Sequence, residues 1–140
     1  MQVEKNFEVA CDRDHAVDVI CREETLVALF PEAKTEIVSR EGDRVTAQMH
    51  YSALGREGVA TFHFDYLMDG NVRFEKVCDG NVWKQLRGEV TFEEAGSRCR
   101  VSIEMEGKTK GLVPEFTIRG PMNEQIDQMA EALQRRIEDD

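Results

Sequence analysis

Between Lys34 and Lys108 the chain is punctuated at nearly even intervals. Turn-forming clusters stand at Glu41-Gly42-Asp43, Gly55-Arg56-Glu57-Gly58, Asp69-Gly70-Asn71, Asp79-Gly80-Asn81 and Glu94-Ala95-Gly96-Ser97. Spacing of about ten to twelve residues between such clusters predicts consecutive antiparallel strands. The repeated "DGNV" at Asp69 and Asp79 reads as two hairpin turns and not as a functional repeat. Side-chain alternation tests the register. With "GREG" as a four-residue loop, Tyr51 faces Phe62, Met49 faces Phe64 and Ala47 faces Tyr66. With "EAGS" as the later loop, Phe92 faces Cys99, Val90 faces Val101, Gly88 faces Ile103 and Leu86 faces Met105. Each pairing leaves one wholly apolar face, and a one-residue slip would turn every side chain over. The expectation is a meander of about six strands with one apolar side.

The two ends of the chain supply the cover for that side. A short alternating segment, Val3 to Val9, predicts a strand. Asp12 suits the N-cap of a short helix carrying Ala16, Val17 and Ile20. Thr25 suits the cap of a second, "LVALF", which Pro31 stops. Near the C-terminus, Met122, Ile126, Met129, Ala130, Leu133 and Ile137 recur in steps of three and four, one stripe of a helix. Asn123, Glu124, Asp127, Gln128, Glu131, Arg135 and Arg136 take the other face, and Pro121 suits the first turn. This helix is expected to lie across the inner face of the meander, with the two short helices under one end.

Composition narrows the function. At 140 residues the chain is expected to form one domain, 1–140. A formal charge of −10, without a basic run, argues against nucleic acid as partner. No stretch approaches the roughly 20 apolar residues of a membrane span. The start "MQVEKNFEVACDRD" has no apolar signal core, and Cys11, Cys21, Cys78 and Cys99 lack metal-type spacing. A soluble cytoplasmic protein with free thiols is the expectation. The chain carries no HExxH, GxSxG, Walker A or GxGxxG motif, so no catalytic residue is assigned and no cofactor is expected. His50 and His63 fall opposite each other on the outer face in the "GREG" register, beside Asp65. An open surface offers no convergent further ligands, so a solvated pair is expected and no metal. His15 gives no separate signal.

Strand, two short helices, six-stranded meander, long closing helix: this order resembles the START-like, or SRPBCC, superfamily. The echoes are "LFPEAKTEIVSREGDRV", "RGEVTFEEAGSRCRVSIEMEG" and "GLVPEFTIRGPMNEQIDQMAEALQRRIE", and they cover essentially the whole chain. The resemblance implies an α+β helix-grip fold, a curved antiparallel sheet of about seven strands wrapped around the C-terminal helix. It also implies an apolar cavity for lipids, sterols, polyketides or similar ligands. The expected ligand-binding residues are Met49, Tyr51, Phe62, Phe64, Tyr66, Phe74, Leu86, Ile103 and Met105 from the sheet, and Met122, Ile126 and Met129 from the helix. Methionine suits an adaptable apolar site, and serves equally as core filler. Tyr51 and Tyr66 are suited to hydrogen-bond a ligand carbonyl or assist proton transfer, or are core tyrosines whose hydroxyls reach a backbone partner. Lys76 and Lys84 flank the Gly80 turn, where a three-residue loop would put both on the inner face as a basic cavity mouth; rim lysines reaching into water are the alternative. Three functions stay open: binding of a small hydrophobic or amphipathic ligand, in transport or sequestration; a polyketide cyclase/dehydrase-like enzyme acting on an aromatic or polyketide substrate; and a protein-interaction module with a filled interior.

Overall fold

The computed structural model describes residues 1–53 and 56–140. Strand β1 (Gln2–Val9) is followed by helices α1 (Arg13–Ile20) and α2 (Glu23–Ala28). Six strands come next: β2 (Lys34–Glu41), β3 (Arg44–Ala53), β4 (Arg56–Tyr66), β5 (Val72–Lys76), β6 (Trp83–Ala95) and β7 (Arg98–Thr109). Helix α3 (Phe116–Asp139) closes the chain. The strands form one curved antiparallel sheet in the order β1-β7-β6-β5-β4-β3-β2. Consecutive strands β1 and β2 therefore sit at opposite edges. The segment joining them, with α1 and α2, has to cross the width of the sheet.

Local chemistry explains the helices. The Asp12 carboxylate accepts from the His15 N–H at 2.8 Å, capping α1 as expected. Thr25 does not cap α2. It lies inside that helix, fully buried, and its hydroxyl donates to the Val19 carbonyl at 2.6 Å, tying α2 to the end of α1. Helix α3 starts earlier than the stripe suggested, so Pro121 lies within it and not in its first turn. Lacking an N–H, Pro121 cannot bond the carbonyl four residues before it. The added turn brings Ile118 into the buried stripe with Met122, Ile126, Met129, Ala130, Leu133 and Ile137.

The inner face holds the expected residues in a different register. Across β3 and β4, Tyr51 pairs with Gly58, Met49 with Ala60, Ala47 with Phe62 and Val45 with Phe64. Ala53 pairs with Arg56, so the "GREG" loop does not form: Arg56 to Gly58 belong to β4, and Gly55 lies outside the described residues. The shift is by four positions, an even number, which leaves every side chain on its expected face. Size complementarity accounts for the choice. The observed register sets large residues against small ones, and a Cβ added to Gly58 would sit 2.5 Å from the Tyr51 ring. In the β6–β7 hairpin the shift is by two. Phe92 pairs with Val101, Val90 with Ile103, Gly88 with Met105 and Leu86 with Gly107. Only Gly96 and Ser97 remain in the turn, with Gly96 at φ 68°, a conformation that primed two-residue turns demand.

Two further glycines let bulky groups settle on the sheet. The Phe74 ring lies over Gly88, and Met122 and Trp83 meet over Gly107. A side chain on Gly88 would stand 2.3 Å from both the Glu104 carbonyl oxygen and Phe74. Helix α3 packs on β1, β7, α1 and α2, toward one side of the inner face. Gly88→Ala is expected to cost about 1–3 kcal/mol in urea denaturation, as overpacking does. Gly80→Ala, in open space, should change stability by less than about 0.5 kcal/mol. Equal tolerance at the two sites would contradict this packing.

Candidate functional site

Because α3 sits toward β1 and β7, the inner face of β3 to β6 is left partly uncovered. A cavity of about 390 Å³ occupies this space. Met49, Ala60, Phe62, Phe74, Leu86 and Met105 line it from the sheet, and Met122 and Met129 line it from the helix; all are buried. Phe30, on the segment after α2, closes another wall. Its ring centroid is 5.7 Å from that of Phe62, and Phe64 links Phe62 to Phe74 at 6.4 and 6.2 Å. The half-buried residues Ala33, Lys76, Trp83, Gln125 and Gln128 come next. Glu32, Tyr51, Ser52, Pro121 and Glu124 are exposed at the mouth. The depth is apolar and the rim is polar.

The structure brings together Met49, Tyr51, Phe62, Phe74, Leu86, Met105, Met122, Met129 and Lys76 around this cavity. Phe64, Ile103 and Ile126 are buried in the core and do not line it. Tyr51 shares the inner face but is 45% exposed, because β3 carries it out to the rim. Tyr66 is away from the cavity. Its hydroxyl donates to the Ile20 carbonyl at 3.2 Å, and burial pushes its phenol above the usual range. It anchors α1 to the sheet, the backbone-partner role open to it from sequence.

Lys84 does not reach the mouth. A register shift between Trp83 and Gln85 places an extra residue in β6, so Trp83 turns inward and Lys84 is exposed. Lys110 serves the Gly80 loop instead, donating to the Gly80 carbonyl at 2.7 Å. The lining carries Lys76 against Glu32 and Glu124, so the mouth is not basic.

Sequence reasoning missed Phe30, Trp83, Gln125 and Gln128. Phe30 was readable only as the end of a helix. Trp83 depends on the bulge. Gln125 and Gln128 lie within one turn of Met122 and Met129, and Gln128 is half-buried where an outward position was expected.

On the outer face the two histidines lie apart. His50 pairs with Val59 and His63 with Thr46, so the histidines are offset by four residues, about 13 Å, and do not face each other. His50 approaches Glu36 at 3.3 Å, and His63 Nδ1 shares a hydrogen bond with the Thr46 hydroxyl at 2.8 Å. Asp65 accepts from Arg44 at 2.8 and 2.9 Å, which holds its carboxyl below the usual range. Among the described residues, no group of three or more His, Cys, Asp or Glu side chains is placed to hold a metal ion, and no helix is long and apolar enough to cross a membrane.

No family model and no curated protein matches this sequence. Solved structures do. A START superfamily protein from Mycobacterium smegmatis is 19% identical, with a TM-score of 0.76 over 99% of this chain and 97% of its own. The Zhui aromatase/cyclase from Streptomyces sp. R1128 is 14% identical, with a TM-score of 0.76 over 98% and 90%. A STAR-related lipid transfer protein from Xanthomonas axonopodis is 16% identical, with a TM-score of 0.64 over 97% and 85%. At these identities the likeness is one of fold. The chain has the helix-grip fold of the START-like, or SRPBCC, superfamily.

Proposed function

We propose that residues 1–140 form one START-like domain that binds a small hydrophobic or amphipathic ligand between sheet and C-terminal helix, in transport or sequestration within the cytoplasm. The observation that carries this reading is the cavity of about 390 Å³, apolar at depth and polar at its rim. Its volume lies within the range of roughly 300–1,000 Å³ typical of ligand sites. Burial of apolar ligand surface against Met49, Phe62, Phe74, Met105 and Met129 supplies the driving force. The aromatase/cyclase likeness brings the enzyme alternative into view. That reading needs an acid–base pair inside the cavity, whereas Glu32 and Glu124 are exposed at its mouth.

Trp83 is the only tryptophan and it lines the cavity, so it reports occupancy directly. The neutral dye N-phenyl-1-naphthylamine is expected to brighten on the folded protein and to alter Trp83 emission with the same saturation curve. Dye emission unchanged under native conditions would sink the ligand-binding reading.

Two truncations on α3 separate an open cavity from a filled core. Leu133 is fully buried away from the cavity, and Leu133→Ala should cost about 2–5 kcal/mol. Met129 lines the cavity, so Met129→Ala removes fewer contacts. It should cost less than about 2 kcal/mol and change dye affinity. Equal costs with unaltered dye binding would favour a filled interaction module.

A further inference from the structure

Leu112, on the connection from β7 to α3, is fully exposed, and Phe116, the first residue of α3, is 70% exposed. Hydrogen bonds hold this connection in place. The Thr109 hydroxyl donates to the Val113 carbonyl at 2.6 Å, and the Val113 N–H donates to the Lys110 carbonyl at 3.0 Å. Lys110 also ties it to the connection between β5 and β6. Its N–H donates to the Val82 carbonyl at 2.8 Å and its ammonium to the Gly80 carbonyl at 2.7 Å. That second connection presents Val77 and Val82, both exposed. Single apolar side chains on a surface are ordinary, whereas four gathered on two joined connections form a patch. The patch adjoins the cavity. Val82 precedes Trp83, and Phe116 comes five residues before Pro121, about 7.5 Å along the helix. Trp83 and Pro121 both line the cavity.

Charge singles out the same place. Residues 77–84 and 108–119 carry Lys84, Lys108, Lys110 and Arg119 against Asp79 and Glu115, a positive surplus in a chain of net charge −10. Glu32 and Glu57 belong to the β2–β4 side of this end. Glu124 is eight residues beyond Phe116, about 12 Å along α3, more than the Debye length of about 8 Å at physiological salt. We infer that this patch docks the protein on an anionic lipid bilayer, with Leu112 and Phe116 entering the apolar boundary and Lys84, Lys108 and Arg119 at the level of the headgroups. Docked in this way, the cavity opens beside the bilayer, and an apolar ligand passes between lipid and cavity with little exposure to water; this passage rests on the ligand-binding reading above. A bilayer fits the patch better than a protein does. Four side chains on two connections fall short of the roughly 800 Å² that each partner buries in a stable interface. A second copy would set like charges face to face. A fluid bilayer takes up a protruding tip without having to match its shape.

Co-sedimentation with vesicles of phosphatidylcholine, with and without phosphatidylglycerol, tests this. The wild type should bind the anionic vesicles about fivefold or more tightly than the neutral ones, and high salt should remove that preference. Leu112→Ser combined with Phe116→Ser should weaken binding to the anionic vesicles by about tenfold or more. Its melting point, and its affinity for N-phenyl-1-naphthylamine without vesicles, should match the wild type, since neither side chain is buried or lines the cavity. Met68→Ser removes an equally exposed side chain from the β4–β5 connection, at the opposite end of the sheet, and should leave vesicle binding unchanged. Absence of binding to either vesicle, undiminished binding by the double variant, or an equal loss in Met68→Ser would overturn the docking surface, while dye binding left the cavity reading standing. Equal binding to both vesicles at low salt would overturn the role given to the basic residues. A wild-type dimer that the double variant splits, without vesicle binding, would assign the patch to a second copy and overturn the bilayer. Vesicle binding without dye binding would support the docking surface and remove the passage of ligand.

Discussion

A single helix is too narrow to cover a seven-stranded sheet, and the rest of this structure follows from that mismatch. Six spacings of about 4.8 Å make the sheet roughly 29 Å wide, against about 10 Å for a helix. Helix α3 packs toward β1 and β7, where its stripe from Ile118 to Ile137 is buried. The topology supplies a second cover, because the segment joining edge strands β1 and β2 must cross between the edges. Helices α1 and α2 and Phe30 fill that part of the width. What neither cover reaches, over β3 to β6, is the cavity.

Close packing elsewhere keeps that gap defined. Gly107 lets Met122 and Trp83 meet against β7, which seats the start of α3 on the sheet. Gly88 and Gly58 receive the rings of Phe74 and Tyr51, setting the inward reach of two lining residues. The aromatic series Phe30, Phe62, Phe64 and Phe74 joins the crossing segment to the sheet. Interiors at this density transmit small changes in volume, so a cavity persists only where the surrounding elements brace one another.

The faces of the sheet were legible in the sequence, and the registers were not. Alternation assigns Val45, Ala47, Met49, Phe62 and Phe64 inward whatever the hairpin register, provided the shift is even. It is blind to shifts of two or four, and these are the shifts observed at Gly96-Ser97 and after Tyr51. Large-against-small pairing, Tyr51 with Gly58 and Met49 with Ala60, carried the missing information. The bulge after Trp83 was unreadable because it inserts one residue without any turn signal, and it exchanged Trp83 for Lys84 at the cavity. The C-terminal stripe was fully legible from Met122 onward. The earlier start of α3 was hidden by Pro121, which reads more naturally as a first-turn residue. The cavity depends on how far α3 and the crossing segment reach, a tertiary property that no local pattern records.

The methionines offer the most direct test that this space accepts an apolar ligand. Met49, Met105, Met122 and Met129 line the cavity, whereas Met68 is fully exposed on the β4–β5 connection. Protein labelled with ¹³C at the methionine methyls gives separate NMR signals for these sites, to be followed while N-phenyl-1-naphthylamine is titrated in. The account predicts that the four lining methyls shift together and saturate while Met68 stays in place. Movement of Met68 with the other four unchanged would mean the dye binds the surface and the interior is closed to it.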